Sequence, residues 1–230
     1  HSPYTLSLHD ALPILNMLSN QLGLLFERSG RTEILNEAID KAREAIGTSL
    51  RDSDTNYLSL DLLGRLLLGR FEKLHNMQDI NEAIARTRDA VQLTPEQSLD
   101  LPGRLDNLAN QLHKRFERRG MMGDIDEAVA LRDKVVSLML KDDCNFPASL
   151  GNLGKQLQHR FERTGKLADL DKAIRRTSEA SDLKQQDDYS RSVWLNNLGY
   201  QLQLRFERTN NMVDLEQAIS AIQIDRKSVV

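Results

Sequence analysis

One interval constrains this chain more than anything else in it. Phe26, Phe71, Phe116, Phe161 and Phe206 stand 45 residues apart, each followed by Glu and then by Arg28, Lys73, Arg118, Arg163 or Arg208. Leu18, Leu63, Leu108, Leu153 and Leu198 keep the same interval, as do Leu22, Leu67, Leu112, Leu157 and Leu202, and Ala38, Ala83, Ala128, Ala173 and Ala218. Five returns of one unit make this a repeat protein, in which each unit buries its apolar face only by stacking on its neighbours. The 230 residues therefore read as one elongated array, not as one or two globular domains.

The fourth repeat shows the unit most cleanly. Leu150, Leu153, Leu157 and Phe161 share one stripe at a period of 3.6 residues, with small Gly154 between them, so Leu150–Arg163 reads as an amphipathic helix A. Gly165 ends it, and Gly30, His75, Gly120 and Asn210 hold the same place. That set of residues fits a left-handed helix terminus, which makes His75 a turn residue and not a ligand. Arg160 and Arg163 complement the negative end of the helix dipole. Helix B is expected to begin at Asp169, with Asp79, Asp124 and Asp214 in register. Glu82, Glu127 and Gln217 follow three residues after their Asp, which is the spacing of a capping box; the first repeat has Ile34 there instead. Leu170, Ala173, Ile174, Thr177 and Ala180 form the inner face of helix B, and Pro95 stops it in the second repeat. Full burial of one Phe contributes roughly 1.5–3 kcal/mol, so the five of them are the expected pins of the stack.

Charge and cysteine usage narrow the function classes. A formal net charge of −3 argues against nucleic acid or an anionic membrane as the main partner. Apolar runs such as Leu66–Leu68 are far too short to span a bilayer. The single cysteine, Cys144, excludes an internal disulfide and a cysteine-built metal site, and points to a reducing, intracellular and cytoplasmic setting.

The two ends read differently from the repeats. Written as CAC GAC GCT CTT CCG ATC, the codons for His9–Ile14 have the reverse complement GAT CGG AAG AGC GTC GTG, which translates as Asp225–Val230. Both ends resemble read-through of a sequencing adapter, and Ser7 and Leu8 extend the resemblance at the front. The pairing stops at Leu15 opposite Ile224. Residues 1–14 and 225–230 are accordingly expected to be adapter-derived, with the true protein longer on at least one side. The repeats then occupy 15–59, 60–104, 105–149, 150–194 and a truncated 195–224.

Leu153-Gly154, Leu157, Ala173 and Ala180, with Pro95 in the second repeat, resemble the tetratricopeptide repeat (TPR). The usual unit has about 34 residues, and the surplus here fits a longer helix A and longer connections. Asn197-Leu198-Gly199, Leu202 and Arg205-Phe206-Glu207-Arg208-Thr209 look like the long TPR arrays of fungal proteins, which often sit beside a caspase-like CHAT domain or a nucleotide-binding NACHT or NB-ARC domain. The resemblance implies an all-α, right-handed α-α superhelical solenoid of five helix pairs, the last helix truncated. It further implies that helix A lines a concave binding groove.

Helix A has two flanks outside its stripe. The first varies from repeat to repeat: Asp61, Arg65, Leu68 and Gly69; Asp106, Asn110, His113 and Lys114; Gly151, Lys155, Gln158 and His159; Asn196, Tyr200, Gln203 and Leu204. Asn107, Asn152 and Asn197 lie at its edge. By the resemblance these positions line the groove, and side-chain amides suit an extended peptide because each offers a donor and an acceptor. The candidate partner-binding residues are thus Asn107, Asn110, His113, Lys114, Asn152, Lys155, Gln158, His159, Asn197, Tyr200 and Gln203. The second flank is nearly constant, with Gln111, Gln156 and Gln201, then Arg70, Arg115, Arg160 and Arg205. It reads either as a ridge for an acidic partner or, as preferred here, as a ladder of ion pairs to acids such as Glu162 or Asp169.

Signatures of catalysis do not occur. The chain holds no phosphate-binding Gly-Lys-Ser/Thr loop, no His-Glu-x-x-His and no Cys-x-x-Cys. Cys144 follows Asp142 and Asp143 and reads as a passive loop residue, and the pair Asp187-Asp188 falls in another inter-repeat connection. His113 and His159 lie in different repeats with no third ligand in register, so no metal site is expected, and no cofactor. Trp194 reads as a packing residue at a repeat junction. The expected function is a protein or peptide scaffold or sensor arm without catalysis, part of a larger protein. The alternatives are a regulatory segment of a CHAT or NACHT/NB-ARC enzyme and a self-associating module.

Overall fold

A computed structural model describes residues 8–48, 56–183 and 188–228. Asp187 lies outside the described residues, as do 1–7 of the adapter-like stretch 1–14 and 229–230 of the adapter-like stretch 225–230. All regular structure among the described residues is helical. In chain order the helices are α1 (Leu8–Ser29), α2 (Thr32–Thr48), α3 (Asn56–Leu74), α4 (Met77–Leu93), α5 (Leu101–Arg119), α6 (Met122–Leu138), α7 (Phe146–Thr164), α8 (Leu167–Asp182), α9 (Asp188–Thr209) and α10 (Met212–Ser228). Odd helices are the A helices of the repeat and even ones the B helices. Helix α10 spans 17 residues, the last four of them within the adapter-like 225–230.

The turn between A and B is built identically five times. Gly30, Gly120 and Gly165 have φ of 67–69°, and His75 and Asn210 reach 58° and 54°. Each of these amides donates to the carbonyl of its repeat's Phe at 2.7 Å, from Gly30 on Phe26 to Asn210 on Phe206. The left-handed backbone closes the helix and turns the chain back within two residues. The recurring Phe contributes its ring to the packing, and its backbone carbonyl accepts the bond that closes the turn.

The start of each B helix corrects the sequence reading. Asp79 does not cap α4; the cap is Asn76, whose Oδ1 accepts from Gln78 N at 3.0 Å. Asp79, Asp124, Asp169 and Asp214 sit third in their helices and are buried. Helix A also begins earlier than its stripe. In α7 the first turn holds Phe146 and Pro147, both buried, and Leu150 comes one turn later.

Two compact units divide the chain, residues 1–115 and 116–230, with the division falling within α5. In the first unit α1 packs on α2, α2 on α3 and α3 on α4, and α1 touches α3. Its core joins Leu35, Ala38, Ile39 and Ala42 of α2 to Leu62, Leu63, Leu66 and Leu67 of α3. In the second unit α6 packs on α7, α7 on α8, α8 on α9 and α9 on α10, while α7 touches α9. Phe161, Leu170 and Ile174 there receive Leu202, with Leu198 beside them. Trp194 is buried against Phe146, Leu150 and Ala180, the junction role expected of it.

Close approach of A to B rests on missing side chains. A Cβ added at Gly154 would collide with Thr177 Oγ1 and come within 3.2 Å of the Ala173 carbonyl oxygen. Gly64 stands in the same relation to Thr87 and Ala83. Of the five Phe expected to pin the stack, Phe71, Phe116 and Phe161 are buried to 2–3% exposure, whereas Phe26 and Phe206 are half-buried.

Candidate partner-binding groove

The nearly constant flank of helix A is structural. Arg160 Nε and Nη2 donate to the two oxygens of Asp169 at 2.9 and 2.5 Å, and Nη1 reaches back to Asp126 Oδ1 at 3.3 Å. Arg205 repeats this with Asp214 at 3.0 and 2.6 Å and with Asp171 at 2.8 Å. In the first unit Arg70 grips Asp79 at 3.0 and 2.7 Å and Asn36 at 3.1 Å, and Arg115 reaches Asn81 at 3.1 Å. Each Arg thus ties its helix A to a preceding helix B, and Arg70, Arg160 and Arg205 also pin their own helix B. Hydrogen bonding to the carboxylate raises these three guanidinium groups further above their ordinary range, with burial opposing. The acids are Asp169 and Asp126, not Glu162. Arg163 and Arg208 have a second use: they lie 5.8 and 5.9 Å over the rings of Phe116 and Phe161, one repeat earlier.

With the Arg ladder accounted for, the variable flank is open in part. In the first unit it forms a groove of about 490 Å³. Asn20, Gly23, Leu24 and Glu27 of α1 line one wall, and Leu62, Arg65, Leu66, Leu68, Gly69, Glu72 and Lys73 of α3 the other, with Phe26 and Leu35 deeper and Asn107 of α5 at the end. The groove exists because two side chains are absent. Gly69 holds the place of Lys114, His159 and Leu204, and Gly23 that of Leu68, His113, Gln158 and Gln203. Asn107 donates to Asp61 Oδ1 at 3.0 Å and Lys114 approaches Glu72 at 3.8 Å, so the polar rim is held in position by neighbouring A helices. Asn110 is half-buried on α5, and His113 is buried there.

The second unit offers a polar surface from the same register. Lys155 and Gln203 are exposed, Asn152, His159 and Asn197 half-buried, and Tyr200 47% exposed. Gln158 is buried, not open: its Nε2 donates to Glu162 at 2.9 Å and its Oε1 accepts from Gln201 at 3.3 Å. Gly151 is covered as well, by the Trp194 ring. Desolvation, with Glu162 and Glu207 nearby, pushes the Tyr200 phenol above its ordinary pKa. Gln203 donates to Glu207 at 2.9 Å.

Of the candidate residues read from the sequence, Asn107 alone lines the first-unit groove, with Arg65, Leu68 and Gly69 of the variable flank beside it. Asn20, Gly23, Leu24 and Glu72 also line it and are not named by the sequence reading. The legible signal was glycine at two register positions where other repeats carry long side chains.

Comparison with solved structures agrees with this architecture. A kinesin-light-chain-type protein of Podosopora anserina with nearly identical TPR-like repeats aligns at TM-score 0.62 and 16% identity, over 90% of this chain and 95% of that one. YrrB, described as a TPR protein with an unusual peptide-binding site, aligns at 0.55 and 15%, over 86% and 82%. MamA aligns at 0.57 and 14%, over 89% and 96%. At these identities the likeness establishes the fold, an all-α array of TPR-like helical repeats. No family model and no curated protein matches the sequence.

Proposed function

We propose that this chain is a non-catalytic scaffold that binds an extended peptide segment of another protein along its A helices. The first-unit groove is the observation that carries the reading. Its lining includes the aliphatic side chains of Leu24, Leu62, Leu66 and Leu68 and the amides of Asn20 and Asn107. An apolar partner side chain fits such a lining, and amides can accept and donate to the backbone on either side of it. Glu27 and Glu72 line the groove together with Arg65 and Lys73. That mixture suits a peptide of balanced charge better than a polyanion, in keeping with the net charge of −3. The peptide-binding site that YrrB's description records supports the same use of this fold.

The test is Gly69→Lys, which gives the second repeat the residue found in register at Lys114. A Cβ at position 69 meets only Phe26 Cε1, at 3.7 Å, so the substitution fits and improves helix propensity. It closes the groove to one apolar side chain, whose burial is worth about 1.5–3 kcal/mol, or roughly ten- to hundredfold in affinity. Peptides selected on the unaltered chain by display should bind Gly69→Lys at least tenfold more weakly at unchanged melting temperature. Equal binding sinks the assignment.

A further inference from the structure

The outer face of α10 leaves open the same contacts that every internal repeat closes. Ile39, Ile84, Val129 and Ile174 are 0–9% exposed, whereas Ile219, in the same register, is 50% exposed. Phe206 is half-buried where Phe71, Phe116 and Phe161 are buried, and Ile222 is 53% exposed where Thr87 and Thr177 are buried. A polar contact is open too. Asn36, Asn81, Asp126 and Asp171 each accept from the Arg of a following A helix, at 2.8–3.3 Å. Glu216 occupies their register, and among the described residues its carboxylate has no ion-pair partner. A third is aromatic: Arg163 and Arg208 lie over Phe116 and Phe161, and Phe206 is next in that series.

We propose that the outer face of α10, with Phe206, is a docking surface for an Arg-Phe-Glu-Arg helix, the A helix of a sixth repeat of this 45-residue type. The partner's chemistry follows from α9, the helix that fills the equivalent site on α8. It needs leucines in the register of Leu198 and Leu202 for Ile219 and Leu215, an Arg in that of Arg205 for Glu216, and an Arg in that of Arg208 for Phe206. The interface continues the α2–α3, α6–α7 and α8–α9 packing already present in the chain. A second copy docking through α1 fits less well. Helix α1 has Leu18, Leu22 and Arg28 in register but carries Leu25 where the ladder requires Arg, which would leave Glu216 against an aliphatic side chain.

The experiment uses the full chain and a hydrocarbon-stapled peptide copying residues 188–209, so that helix formation does not limit binding. Binding is followed by calorimetry and by hydrogen exchange of α10. The expected result is 1:1 binding that slows exchange in α10, with a peptide carrying Arg205→Leu at least tenfold weaker and Ile219→Asp in the chain abolishing binding. No protection of α10, or equal binding by the two peptides, overturns the proposal. So does concentration-dependent association of the chain alone that protects α1 and α10 together, because the occupant would then be a second copy.

Discussion

Asp169→Asn tests whether the constant Arg flank holds the repeats together. The substitution keeps the side chain's shape but presents an amide N–H₂ to Arg160, so one of the two bonds at 2.9 and 2.5 Å is lost and the other loses its charge. The Asp169 side chain is 11% exposed and that of Arg160 23%, so water replaces little of what is removed. A hydrogen bond to a charged group contributes about 1.5–3 kcal/mol, and a loss of about 2–3 kcal/mol is expected. Asp126→Asn, at a side chain 58% exposed, should cost less than about 1 kcal/mol. The first repeat supplies an internal control, since it has Leu25 and Ile34 in place of the Arg and Asp. Arg160→Leu combined with Asp169→Ile should therefore fall within about 1 kcal/mol of the unaltered chain, although each single change costs more. Urea unfolding followed by circular dichroism reads the cycle, with hydrogen exchange of α7 and α8 to catch partial opening. Additive single effects, or a loss under about 0.5 kcal/mol for Asp169→Asn, would refute the structural role.

Three further outcomes are expected. Phe161→Ala should destabilise by about 3–5 kcal/mol and Phe206→Ala, half-buried, by less than half of that, both read by urea unfolding; equal losses would mean that the stack does not cover Phe161. Gly154→Ala should destabilise by about 1–2 kcal/mol despite the gain in helix propensity, because its Cβ collides with Thr177, and Thr177→Ala should reverse most of the loss. Tyr200 should titrate above the ordinary tyrosine range in ultraviolet difference spectra against Tyr200→Phe, and Glu162→Gln should lower its midpoint. Because the folded pKa is raised, its stabilising contribution is complete below the unfolded value and fades as pH rises through the folded one. A midpoint at the ordinary value would contradict the desolvation.

The repeat interval made the helical pairs, the five left-handed turns and the burial of Phe71, Phe116 and Phe161 legible, because packing and turn both depend on residues that must recur. Other features resisted. The first turn of helix A carries Asn56, Leu101, Phe146 and Arg191 in register, so no periodic side chain marks it. Asp79 has capping-box spacing to Glu82, but acidic residues favour both the cap and the first turn, and only the position of Arg70 decides between them. A helical wheel placed Gln158 on an open flank because it cannot show the Gln201 side chain brought to it by α9. The groove required two glycines to be compared across repeats, where pattern reading favours the residues that are present.

The central claim, that the A helices are the binding surface, is tested most directly by photo-crosslinking. A display-selected peptide carrying benzophenone in place of its main apolar residue would be irradiated with the unaltered chain and the adducts mapped by mass spectrometry. Adducts on Leu24, Leu66 or Leu68 of α1 and α3 are predicted. Adducts confined to the B helices α2 and α4 would contradict the account.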